Sequence, residues 1–75
     1  MKRDILKDAD YRFDFDRAMY VNRAAKKAFS LEFIDDHSEN ELVRRIGEHT
    51  QNGWTFYFNN SPSESVKREL ERVLG

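Results

Sequence analysis

Apolar positions recur along this chain with two periods, one suited to strands and one to helices. From Trp54 to Phe58 they alternate: Trp54, Phe56 and Phe58 share one side and Thr55 and Tyr57 the other, and all five residues suit a pleated surface. Tyr11, Phe13 and Phe15 alternate in the same way with Arg12, Asp14 and Asp16, which predicts a strand with one buried and one wet face. The helical period appears in Leu42, Val43, Ile46 and Thr50, and again in Val66, Leu70, Val73 and Leu74, giving two amphipathic helices.

Local punctuation places their ends. Ser38-Glu39-Asn40-Glu41 reads as a capping box, in which the Ser38 hydroxyl accepts from the Glu41 N–H and the Glu41 carboxylate reaches back to the Ser38 N–H. The first helix then runs from about Glu39 to Gln51, with Asn52-Gly53 as a left-handed stop. Gly47 inside it costs about 1 kcal/mol against Ala, so it marks either a close approach of another element or a tolerated glycine. Ser61-Pro62-Ser63-Glu64 repeats the start signal, with Ser61 as N-cap and Pro62 at the first helical position. The second helix reaches about Leu74, with Glu64–Arg68 and Lys67–Glu71 pairs on its outer face.

Between Arg17 and Phe29 two readings compete. A helix started by Asp16 has the better propensity, but its stripe of Ala18, Val21, Ala25 and Phe29 is mostly small. A hairpin instead runs from Ala18–Asn22 through Arg23-Ala24-Ala25-Lys26 into Ala28–Ile34, although it lacks a glycine at the turn. The hairpin is preferred. The expected architecture is therefore α+β, a two- or three-stranded antiparallel sheet with two amphipathic helices packed on one face. The alternative is an alternating β-α-β-α-β-α chain with residues 17–29 helical. The expected core is Phe13, Phe15, Val21, Phe29, Leu31, Phe33, Leu42, Ile46, Trp54, Phe56, Phe58, Val66, Leu70 and Val73.

Composition narrows the class. Seventy-five residues, 39% hydrophobic and 13% aromatic, leave room for one small domain spanning 1–75, with residues 1–9 set apart as a flexible or loosely packed segment. The absence of cysteine removes disulfides and thiolate zinc sites. Met1–Asp10 holds only Ile5 and Leu6 as large apolar residues, too few for the core of a secretory signal. No apolar run suits a membrane span, so a cytoplasmic protein with no membrane partner is expected.

The formal net charge of −1 hides a division: Arg17–Lys27 carries four bases and no acid, Asp35–Glu41 four acids and no base. Asp35, Asp36 and His37 are the densest group of metal-ligating types, but consecutive side chains diverge, and acids here suit a helix entrance. His49 lies at helical spacing from Leu42 and Ile46 and is read as a packed histidine. Asp8 and Asp10, or Asp14 and Asp16, imitate the start of a calcium loop that fails at its glycine position, and they are read as the charged edge of a strand. Three scattered glycines exclude a phosphate-cradling loop, and no serine sits in a nucleophile elbow. No metal and no cofactor are expected.

What remains is a basic and aromatic set of candidate partner-binding residues: Arg17, Tyr20, Arg23, Lys26, Lys27 and Tyr57, with Tyr57 either the exposed anchor or covered by a helix. The leading expectation is a small non-enzymatic module that binds another protein or itself. The alternative is weak single-stranded nucleic-acid binding through the hairpin, where bases follow phosphates and rings stack. A third reading is a metal-dependent hydrolase built on Asp35, Asp36 and His37.

Overall fold

The structure, a computed structural model, describes residues 2–47 and 53–74. The elements run α1 (Lys2–Asp8), β1 (Arg12–Asp14), β2 (Met19–Asn22), β3 (Lys27–Ser30), α2 (Leu31–Asp36), α3 (Glu39–Ile46), β4 (Thr55–Tyr57) and α4 (Glu64–Leu74). The class is α+β as expected, but the sheet has four strands and is mixed. In the order β1-β2-β3-β4, the first three strands are antiparallel and β4 lies parallel to β3. Because a parallel neighbour cannot be reached through a tight turn, the chain between β3 and β4 carries α2 and α3.

Two hairpins set the antiparallel part, and both use one device. In each, the last strand residue has a side-chain oxygen that accepts the N–H three positions on: Asp14 Oδ1 from Arg17 at 3.2 Å, and Asn22 Oδ1 from Ala25 at 3.0 Å. Such Asx turns mimic a backbone turn. The fourth loop residue then adopts the left-handed region, Ala18 at φ 52° and Lys26 at φ 55°. Neither position is glycine, which is why the second turn lacks the usual hairpin signature. Residues 17–29 therefore form a hairpin rather than the alternative helix.

Strand alternation divides the core in two. One face carries Phe13, Tyr20, Phe29 and Tyr57, which stand opposite one another in successive strands and form an aromatic row across the whole sheet. Phe29 and Tyr57 stack at 4.5 Å between ring centroids, and Phe13 and Tyr20 lie 5.0 Å apart. Leu6 of α1, Phe33 and Ile34 of α2 and Leu42 of α3 cover this row. The opposite face carries Val21, Ala28 and Met19, closed by Leu74 and Leu70 of α4 together with Trp54, Phe56 and Phe58. The helices thus pack on both faces of the sheet, not on one, because each face is apolar and each must be covered.

Several local expectations change accordingly. The run Ala28–Ile34 does not continue as strand: Ser30 turns the chain, its hydroxyl accepting the Phe33 N–H as N-cap of α2. Ser38 caps α3 as expected, but Glu41 holds Arg44 and Arg45 instead of reaching back to Ser38. The last helix is capped by Ser63, not Ser61: Ser63 Oγ accepts from Val66 and its carbonyl takes the first helical bond from Lys67. Gly47 closes α3 rather than lying inside it, and among the described residues only its own turn's carbonyls stand near it. Gly53 takes the left-handed conformation at φ 72°. His49, Thr50, Gln51 and Asn52 lie outside the described residues.

The core also differs in membership. Leu6 is fully buried and ties the amino-terminal helix to the sheet, and Lys27 is 2% exposed. Phe15, at 86% exposed, and Val66 and Val73 leave the expected core for the surface. Phe15 leaves because β1 ends at Asp14, so its backbone already turns away from the pleat.

Candidate functional site

The candidate site is the β1 edge, built from three consecutive features of the sequence. Arg12-Phe13-Asp14 forms an edge strand that is paired to β2 on its inner side and to no other strand among the described residues. Phe15 follows at the first loop position and stands against Phe13, ring centroids 4.7 Å apart in an edge-to-face contact. Alongside, a groove of about 710 Å³ is lined by Arg12, Phe13, Phe15, Val21 and Arg23, with Asp10, Asp14 and Asp16 as its acidic members. The aromatic row of the core thus reaches the surface here: Tyr57, Phe29 and Tyr20 are buried, Phe13 is half-buried and Phe15 is out in solvent.

Electrostatics fix the rest of this edge. Arg17 reaches back to Asp14, Nη1 to Oδ2 at 2.9 Å, so the turn residue and the strand end are held as one unit. Arg12 is exposed on the same face as Asp14, two positions away on the strand. Arg23 donates to the Leu74 carbonyl at 3.2 Å, joining the second hairpin turn to the end of α4.

The six residues singled out from the sequence do not come together. Arg17 sits in the first turn and Arg23 and Lys26 in the second, at opposite ends of β2. Lys27 points inward, its ammonium donating to the carbonyls of Arg45 and Ile46 at 3.2 Å each, where the negative end of the α3 dipole accepts a cation. Tyr20 and Tyr57 are 6% and 7% exposed, because alternation puts both on the helix-covered face, so neither offers an exposed ring. The residue that reasoning from the pattern missed is Phe15. Its alternation with Tyr11 and Phe13 argues for burial, and only the Asx turn at Asp14 contradicts it.

Asp35 and His37 of the acidic group make contacts within the fold. Asp35 meets Arg3 at 3.5 Å, and Lys2 donates to the Asp35 and His37 carbonyls. The His37 ring stacks on Phe33, and its Nδ1–H donates to the Phe33 carbonyl at 2.8 Å. Glu41, gripped by Arg44 and Arg45, is held below the usual carboxylate range by those hydrogen bonds. Among the described residues no three His, Asp or Glu side chains converge on a point that a metal would occupy. No helix among them is long and apolar enough to cross a membrane. Comparison with protein-family models, curated proteins and solved structures gives no match.

Proposed function

We propose that this domain is a non-enzymatic, cytoplasmic interaction module that docks a protein partner along the β1 edge. The observation that carries the reading is Phe15, a phenylalanine 86% exposed beside an open strand edge and a groove. An aromatic ring left in water is rarely neutral for solubility, and buried aromatic anchors supply most of the energy of interfaces. An open strand edge supplies the complementary element, a row of backbone donors and acceptors that another strand can satisfy. Charge at Arg12 and Asp14 then steers the encounter and sets register more than it adds affinity.

The test is site-directed photocrosslinking in cell lysate with a benzophenone side chain at position 15, compared with the same group at Val43, an exposed residue of α3. The expected result is a discrete protein adduct at position 15 that survives nuclease treatment and is weak or lacking at position 43. Equal labelling at both positions, or adducts that vanish with nuclease, would overturn the reading, the latter in favour of nucleic acid.

A further inference from the structure

The sequence of the β1 edge is complementary to itself in one register only, and we infer that its partner is a second copy of this chain, paired β1 to β1 in antiparallel fashion about a two-fold axis. This rests on the reading of the β1 edge as the docking surface and names what docks there. Residues directly opposite each other in an antiparallel ladder point to the same face, and neighbours along a strand point to opposite faces. A two-fold axis normal to the sheet must therefore pass opposite a residue, not between residues. Within Arg12–Asp14 there are three choices. Centred on Arg12, the pairing sets arginine against arginine, and centred on Asp14 it sets aspartate against aspartate; both oppose like charges. Centred on Phe13, it sets Arg12 against Asp14 of the other copy twice over and Phe13 against Phe13.

The central register also continues the core. The row Tyr57, Phe29, Tyr20, Phe13 is paired strand to strand through the sheet and stops at Phe13 only because β1 is the edge. Phe13 pairing with its symmetry mate extends the row through both copies without interruption. Phe15, at the first loop position beyond the strand, stands against Phe13 with ring centroids 4.7 Å apart, so the ring that is 86% exposed in one copy flanks the seam between the two. Isologous contacts of this kind close on themselves as dimers. The same charges that deter other strands, or other registers, admit this one. Three paired residues a side make a small interface, which places the association in the weak, transient class.

The experiment is sedimentation equilibrium of the wild type, Arg12→Asp, Asp14→Arg and an equimolar mixture of the two variants. Each variant alone places like charges in both cross-strand pairs, so its dimer should weaken by about tenfold or more. In the mixture the two chains are again complementary, because each cross-strand charge pair sets an aspartate of one variant against an arginine of the other. Association should return to the wild-type level. Because Asp14 also braces the turn through Arg17, a second measurement avoids it: the chain has no cysteine, so Phe13→Cys should form an intermolecular disulfide under mild oxidation. Arg12→Cys, two residues out of register with its mate, should not. Failure of the mixture to re-associate while both variants remain folded, or equal crosslinking by the two cysteine variants, would overturn this pairing. A wild type that stays monomeric at millimolar concentration yet still crosslinks to other proteins through position 15 overturns self-pairing and keeps the docking edge; loss of both removes the edge itself.

Discussion

Tyr11 offers the sharpest thermodynamic test of how this small core is built. Its ring is 2% exposed and meets Phe29 edge-on at 5.4 Å, while its hydroxyl is buried with no hydrogen-bond partner among the described residues. A buried hydroxyl without a partner forfeits its bonds to water, a loss of about 1–3 kcal/mol. Tyr11→Phe keeps the ring and removes the hydroxyl, so the variant should be more stable than the wild type by about 1 kcal/mol at neutral pH. In a chain of this size that is a rise in Tm of roughly 4–8 °C. The same burial disfavours the phenolate and pushes the Tyr11 hydroxyl up from 10.0 to about 12. The folded-state value exceeds the unfolded one, so the neutral phenol's contribution is complete below pH 10 and drains away as the unfolded chain ionises first. By about pH 11 the wild type should lose about 1.4 kcal/mol through this residue alone, and Tyr11→Phe should not. Urea unfolding of both proteins at neutral pH and at about pH 11 measures the difference directly, and titration of the other tyrosines and the lysines cancels between them. The stability gap should widen with pH. A variant less stable than the wild type at neutral pH, or a gap that stays constant into the alkaline range, would refute the reasoning and mean that the hydroxyl has found a partner.

The remaining predictions follow from particular contacts. Ser63→Ala should cost about 1 kcal/mol through loss of the α4 cap, whereas Ser61→Ala should fall within about 0.5 kcal/mol of the wild type; chemical denaturation of the pair decides which serine starts the helix. Lys27→Ala should destabilise by about 2–4 kcal/mol, since it empties a buried stem and strips donors from the α3 carbonyls, and Lys27→Met should recover at least half by refilling the space. Titration with zinc, manganese or calcium, followed by NMR, should leave Asp35, Asp36 and His37 unshifted at modest excess, and saturable shifts there would restore the hydrolase reading. Binding of labelled single-stranded DNA or RNA should be weak and vanish at physiological salt, with micromolar affinity there as the contrary result.

What is legible in the sequence is governed by short-range rules. Trp54–Phe58 alternates cleanly, and its alternation does sort Tyr57 from Trp54, Phe56 and Phe58 onto opposite sides of the sheet. Ser38 can be found because a capping serine acts within three residues. The features that escape such rules depend on more than one element. Leu6 gains its place only because α1 folds back over the sheet, and two apolar residues in a charged segment give no sign of that. The parallel β3–β4 pairing is set by the path of α2 and α3, which no local pattern encodes. Ser30 is hidden because Leu31 and Phe33 alternate as a strand would, and the hydroxyl that turns the chain gives no period. The site is the least legible part: Phe15 belongs to the alternating run by its spacing and leaves it by its backbone.

The division of charge along the chain does not carry over into blocks in space. The basic block from Arg17 to Lys27 is dispersed in space by the fold's own needs. Arg17 braces Asp14. Arg23 meets the last carbonyl of α4 and Lys27 the last carbonyls of α3, both positions where the helix dipole favours a cation. Two of the four acids in the acidic block are engaged likewise, Asp35 against Arg3 and Glu41 against Arg44 and Arg45. A phosphate backbone would need the bases on one exposed face. Three of the four are instead turned toward carboxylate or carbonyl oxygens of this chain, and Lys26, exposed at the second turn, is too little to track a strand of phosphates. Arg12 and Asp14 lie on one face of an edge strand whose outer side meets no strand among the described residues, and Asp14 serves the fold as well, through Arg17. Charge used only within the fold tells less about partners than charge set along an open edge, where it discriminates among registers.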